Sequence, residues 1–408
     1  MRPPARRWRV RLLLLAAALL PALGIAEGVV RAATPEAERC AVWWPNLRKV
    51  FRPAAGVMPG VAGEKRFAAS SLRFRGREIH AGARFRILAI GGSTTECLFL
   101  DQDEAWPERV GAILTERGGA GEVWAGNAAR SGLSTRDHVV QLRLLAPLLA
   151  EIGIDLVVVL AGANDLALRL SEDEAYDPRA LERPEVVAEI VPRAFQRVPL
   201  GEDRHRPLWK RSALYSILGR IWNRRFGEEA VVDEAGAVYA QWRVHRAGAA
   251  RIREELPDLA SALGEYRRNL HGIADLAKRI GARTLFLTQP ALWRADLAPE
   301  ELAMLWFGGV GPFQTREGCE YYSAAALRAG LDRYNAATLA VARARGVEAV
   351  DLAAHVPRDL AHFYDDLHFN EQGSAAVAEV VAAHLLARPP FAADPAAPAA
   401  DGDREARR

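Results

Sequence analysis

The chain has 408 residues, half of them hydrophobic and 26% charged, with a formal net charge of +3. That length allows one large domain or two ordinary ones, and the composition is that of a globular protein. So small a charge, with no Lys/Arg stripe interleaved with aromatics, argues against a nucleic-acid partner.

At the N-terminus, Arg2, Arg6, Arg7, Arg9 and Arg11 precede an apolar run over 12–26 that only Pro21 interrupts. A basic flank of this kind directs a chain into a membrane and stays on the cytoplasmic side. Residues 1–30 therefore read as a signal or anchor segment, and the rest of the chain is expected on the extracytoplasmic (periplasmic) face of an inner membrane. The run is short of the about 20 apolar residues of a full span. Gly24-Ile25-Ala26 makes an imperfect small-x-small cleavage site. A retained single-pass anchor is the expectation, with secretion after signal cleavage as the alternative. Cys40, Cys97 and Cys319 have no metal-like spacing; one disulfide plus a thiol, or three unpaired thiols, both fit.

Residues 31–84 are rich in Arg, Pro and Gly and lack a sustained period, as a stalk or wrap would. From Phe85 the pattern changes. A short apolar run over 86–90 ends at Gly91-Gly92, as a buried strand does. Similar runs follow at 122–125, 155–160, 283–288 and 347–352, separated by helical stretches such as 106–116 and 263–280. In the latter, Leu263, Tyr266, Leu270, Ile273, Leu276 and Ala277 fall near one face. This alternation predicts an α/β fold with a five-stranded parallel sheet, the strand beginning at Arg86 at its centre. The interval 166–260 breaks the rhythm and reads as a helical insertion over or beside the active edge. Its basic, aromatic segment 204–226 carries Leu214, Ile217, Leu218 and Ile221 at helical spacing. That helix would pack on the main domain or touch lipid headgroups. The Ala-, Pro- and Asp-rich tail 392–408 is expected to be disordered.

Four segments carry chemistry, three of them at the carboxyl ends of predicted strands, where open parallel sheets place their sites. Gly91-Gly92-Ser93-Thr94-Thr95-Glu96 turns sharply after a strand and leaves Ser93 at the start of a helix. There a hydroxyl is exposed and backbone N–H groups face developing negative charge. Asn127-Ala128-Ala129-Arg130-Ser131-Gly132 ends in a glycine that permits close backbone approach to a ligand. Ala161-Gly162-Ala163-Asn164-Asp165 offers an amide donor, or simply a helix cap. In Tyr364-Asp365-Asp366-Leu367-His368-Phe369-Asn370, an Asp three residues before a His can bind its Nδ1–H and leave Nε2 as a base. Each segment alone has an ordinary structural explanation.

Together, Ser, Gly, Asn and His in this order along an alternating chain resemble the SGNH (GDSL-like) hydrolase family over residues 86–386. Thr288-Gln289-Pro290 and Arg333-Tyr334-Asn335 are similar to its membrane-anchored bacterial branch. Gly92 departs from the pattern, standing where the family's namesake motif has Asp. The resemblance implies a three-layer α/β/α, flavodoxin-like hydrolase domain over 85–391. It implies Ser93 as nucleophile, His368 as general base and acid, and Asp365 as its orienter, with Asp366 the competing orienter. The backbone N–H groups of Ser93 and Gly132 and the side chain of Asn164 would form the oxyanion hole, and no metal or cofactor would be required. The expected reaction is hydrolysis of an ester outside the cytoplasm, removing a short acyl group, acetyl above all, from a carbohydrate or similar alcohol. The alternatives are an acyltransferase on the same scaffold modifying envelope glycans and a catalytically silent glycan-binding module. Oligomeric state is not legible.

Overall fold

The computed structural model describes residues 4–33, 40–119, 121–196, 212, 214–215, 218 and 230–392. Most of the basic segment 204–226 with its helical spacing, and the tail beyond Ala392, lie outside the described residues.

In chain order the strands are β1 (Arg48–Pro53), β2 (Lys65–Ala68), β3 (Phe85–Gly91), β4 (Val123–Asn127), β5 (Leu156–Leu160), β6 (Ala230–Ala235), β7 (Arg251–Arg253), β8 (Arg283–Leu287), β9 (Glu320–Tyr322) and β10 (Glu348–Val350). Five of them form a wholly parallel sheet in the order β10-β8-β5-β3-β4. The centre is therefore β5, not the strand that contains Arg86. The reason lies in the side chains. Leu156-Val157-Val158-Val159-Leu160 is an unbroken aliphatic run whose members are all buried, and only such a strand can be covered on both faces along its whole length. Arg86 is half-buried in β3 and turns its guanidinium to the carbonyl of Ile152.

Numbered within this sheet, the spatial order is 2-1-3-4-5. The chain runs from the first strand to one side, then crosses back to build the other. The reversal falls between β3 and β5, and a crevice opens there, outside the carboxyl ends of the two strands. Helices Trp106–Arg117 and Glu371–Leu386 pack together, while Ala260–Arg279 packs against both Thr135–Ile152 and Ala324–Arg345.

Residues upstream of β3 are tied to this framework. β1 pairs antiparallel with β2 and parallel with β6, which belongs to the insertion. Arg75 exchanges backbone hydrogen bonds with Asn127 at the end of β4 (2.9 and 2.8 Å). Its fully buried guanidinium donates to the carbonyls of Glu96, Cys97, Leu100 and Asp101, the turn that follows Ser93. Buried carbonyls at a helix end need such a donor.

The N-terminal run lies in the helix Pro4–Ala33, which exposes Leu14, Leu15, Leu19, Leu20, Leu23, Ile25 and Val29. No helix among the described residues is long and apolar enough to cross a membrane. Cys40, Cys97 and Cys319 are buried, and Cys97 and Cys319 are free thiols.

Candidate active site

The crevice between β3 and β5 holds the residues singled out above. β3 ends at Gly91, and after Gly92 the chain enters the short helix Ser93–Glu96. Ser93 Oγ lies 2.7 Å from His368 Nε2, and His368 Nδ1 lies 2.7 Å from Asp365 Oδ2. A carboxylate only accepts, so Nδ1 carries the proton and Nε2 is left to accept from the Ser93 hydroxyl. The other Asp365 oxygen accepts the backbone N–H groups of Leu367 and His368, both at 2.9 Å. Those bonds close the Asp-x-x-His loop and fix its spacing. Burial by itself would raise the Asp365 carboxyl; the adjacent His368 and the two backbone donors outweigh it and hold the carboxyl below its ordinary range.

Asp366 faces away from His368. It accepts the Trp293 indole N–H (2.8 Å) and the backbone N–H of Trp306 (2.6 Å), and burial pushes its carboxyl up to about 6. Asp365, not Asp366, is the partner of His368.

Asn164 follows β5. Its Nδ2 donates one hydrogen to the carbonyl of Leu133 at 2.9 Å, and an amide nitrogen carries a second. The position of this amide explains Gly92. A Cβ at residue 92 would stand 2.3 Å from Asn164 Nδ2, so the Asp of the namesake motif would displace the amide from where it now sits. Gly132 has φ +77°, which turns the loop after β4 in a way other residues resist. Ser93, Gly132, Asn164 and His368 all line one cleft of about 420 Å3.

Two carboxylates brace this loop from behind. Glu96 accepts the Ser131 hydroxyl, next to Gly132. Asp165 accepts the backbone N–H of Thr135 (3.0 Å) and its hydroxyl, linking the helix that carries Asn164 to the one that begins after Ser134. Burial raises Asp165 to about 7.

The cleft wall is aromatic. Helix Ala237–Ala247 of the insertion contributes Tyr239 and Trp242, and a loop contributes Trp306 and Phe307. Tyr239 lies 5.6 Å from the His368 ring and Trp242 lies 4.6 Å from Trp306, centroid to centroid. The insertion thus reaches the active edge. Ser131, Ser134, Asp137, Arg193 and Gln314 supply polar lining to the same cleft. Arg193 is paired with Asp137 at 2.6 Å. Among the described residues no group of three or more His, Cys, Asp or Glu side chains could hold a metal ion.

Sequence reasoning missed the aromatic wall. Leu305-Trp306-Phe307-Gly308-Gly309 is a visible cluster of rings before a glycine pair, but nothing local says that it folds onto a carboxylate 59 residues later.

Residues 89–376 match the GDSL-like Lipase/Acylhydrolase family. Among solved structures the chain is similar to LAE5, an alpha/beta hydrolase enzyme from the metagenome of Lake Arreo, Spain, at 16% identity. That match covers 74% of this chain and 95% of the other, with a TM-score of 0.38. It is also similar to Axe2, an acetylxylan esterase from Geobacillus stearothermophilus, at 12% identity over 74% of this chain and 94% of the other (TM-score 0.38). No curated protein matches.

Two variants test the geometry. In Gly92→Ala the new methyl meets the movable end of Asn164, so the fold survives; if the expected role of Asn164 as an oxyanion donor holds, turnover falls by roughly 10²-fold, and an unchanged kcat would remove Asn164 from that role. For Asp165 the folded carboxyl sits above its unfolded value near 3.9. Its contribution to stability is full below that value and is lost as pH rises through about 7. Asp165→Asn should therefore raise Tm relative to wild type at pH 8 and bring no such gain at pH 4. Equal Tm differences at both pH values would contradict the assignment.

Proposed function

We propose that this chain, which belongs to the GDSL-like lipase/acylhydrolase family and is a carboxylic ester hydrolase, removes short acyl groups, acetyl above all, from a carbohydrate alcohol through a Ser93 acyl-enzyme. The observation that carries this reading is the unequal size of two spaces that Ser93 lines. Beside Gly92, Leu133, Leu160 and Asn164 lies a cavity of only about 10 Å3, room for a group the size of a water or a methyl. The second is the cleft of about 420 Å3 with its aromatic wall and polar lining. A small acyl group fits the first and a bulky alcohol the second. Half-exposed Trp242 offers a ring face to the C–H face of a sugar, and the polar side chains offer partners for its hydroxyls.

In this reading Ser93 Oγ attacks the ester carbonyl carbon as its proton passes to His368 Nε2. The carbonyl oxygen takes the negative charge and is met by the N–H groups of Ser93 and Gly132 and by the Asn164 amide. Collapse breaks the bond to the alcohol, which leaves with the proton from His368. Water then loses a proton to His368 and attacks the acyl-enzyme. The acid departs and Ser93 regains its proton. Asp365 holds the ring and stabilises its cationic form throughout.

The arginine-flanked run and the exposed leucines of helix Pro4–Ala33 support a place for this chemistry outside the cytoplasm, with the segment as inner-membrane anchor. Fractionation of cells checks it: the protein should stay with membranes after a salt wash and be cut by protease added from outside the inner membrane. A protease-shielded, cytoplasmic protein would overturn this location, and a soluble periplasmic form beginning near Glu27 would make the segment a cleaved signal.

Ser93→Ala and His368→Ala should each lower ester turnover by roughly 10³-fold or more, and the double variant little further, because the two act as a unit. Wild-type rates from purified Ser93→Ala would discard the nucleophile. With one chromogenic alcohol, kcat/KM should fall from acetyl to butyryl to long-chain esters; a preference for long chains would defeat the short-acyl reading. With acetylated oligosaccharides, Trp242→Ala should raise KM by about tenfold while leaving the small acetate ester unaffected. Acetyl transfer to an added sugar that outpaces acetate release would reassign the deacylating step to a transferase.

A further inference from the structure

We propose that Trp306 is a positioning residue for this chemistry, its indole N–H sharing one oxygen of Asp365 with His368 and so setting how tightly that oxygen holds the imidazolium. The inference rests on the assignment of Ser93, His368 and Asp365 above.

Trp306 Nε1–H donates to Asp365 Oδ2 at 2.9 Å, the same oxygen that accepts His368 Nδ1–H at 2.7 Å. The other oxygen is occupied by two backbone donors. Asp365 is fully buried; four donors fill its four lone-pair sites. Each donor on Oδ2 draws charge from that oxygen and weakens the bond to the other. Hydrogen bonds to a buried charge are among the stronger ones in proteins, so removing one of two is felt by the one that remains.

The indole is held for this purpose at both ends. Its own backbone N–H donates to Asp366 Oδ2 at 2.6 Å, as that of Phe307 does at 3.3 Å, and Asp366 is fixed in turn by Trp293. Neighbouring carboxylates thus grip one tryptophan, Asp366 by its backbone and Asp365 by its ring. The indole plane lies within 8° of the imidazole plane, with centroids 6.3 Å apart, so its edge reaches Oδ2 beside the histidine rather than between histidine and aspartate.

Other ionisable groups gather around Asp365 and His368. Asp366 and Tyr364 share their loop, Tyr239, Arg243 and Arg246 come from helix Ala237–Ala247, and Glu96 and Cys97 close the helix of Ser93. Burial raises Tyr239 and Tyr364 and pushes Cys97 up to about 11, which keeps them neutral near pH 7. Asp366, at about 6, titrates where a histidine does. A test must therefore leave the contacts of Asp366 intact and include a signal from His368 alone.

Two replacements meet that need in the full chain. Trp306→Phe keeps an aromatic ring and loses the N–H. Benzothienylalanine at 306 keeps the shape of the indole, with sulfur where the N–H stood, and serves if the phenylalanine variant folds poorly. Both retain the backbone bonds to Asp366. Freed from its second donor, Asp365 Oδ2 should bind His368 more tightly. The imidazolium should then persist to higher pH, moving the acid limb of kcat/KM on a small aryl acetate up by about half a pH unit. The low-field proton resonance of His368 Nδ1–H should move further downfield, and kcat should fall severalfold at unchanged KM. A fall in kcat with both the limb and the resonance in place would mean that Trp306 only packs the wall, and wild-type behaviour in all three would dismiss it. The resonance does not depend on turnover. An inactive protein with a displaced resonance would thus count against the assigned reaction and not against the indole.

Discussion

Everything at this site turns on one carboxylate kept charged in a dry interior. Asp365 has no exposure to water, and a buried anion without partners would take up a proton instead. It stays ionised because donors converge on it from its own loop, from His368 and from Trp306. That requirement shapes the surroundings. The loop must turn back so that two of its own N–H groups meet the side chain, and a distant segment must be folded in to deliver the indole. The adjacent carboxylate, Asp366, anchors that segment. Two acidic residues in a row would repel each other if both were bare; here each is clothed by a different set of donors, and their environments push them in opposite directions.

The sheet supplies the other half of the arrangement. Because strand order reverses between β3 and β5, the segments that follow these strands diverge and leave a crevice without removing any core residue. Ser93 and Asn164 are first in line on either side. Their closeness limits what residue 92 can be, so a departure from the namesake motif that looks like a missing group is a space requirement of the amide opposite.

Legibility in the sequence followed the range of the interactions. Buried strands show as short aliphatic runs, so β3, β5 and β8 are found within a residue or so of where they lie. The Asp-x-x-His loop is local, and the spacing implied by the family resemblance favours Asp365 over Asp366, as the hydrogen bonds do. Strand position is a non-local property: it depends on which run tolerates cover on both faces, and Arg86 should have counted against the centre. The aromatic wall was invisible for the same reason. Tyr239, Trp242 and Trp306 follow no motif, and their meaning comes from contacts made across 59 residues or more of chain. Arg75 is a further case, since a buried arginine has no sequence signature apart from the carbonyls it reaches.

The reach of Arg75 bears on where this protein can be cut. The family match begins at Ala89, a natural place to start a shortened version. Yet four carbonyls in the turn after Ser93 are satisfied from residue 75, and the strands upstream of it, β1 and β2, are stitched to the insertion through β6. The folding unit therefore starts well upstream of the homology. Trimming to the matched region would spare Ser93, Gly132, Asn164, Asp365 and His368 and remove the brace that keeps the turn after Ser93 in shape.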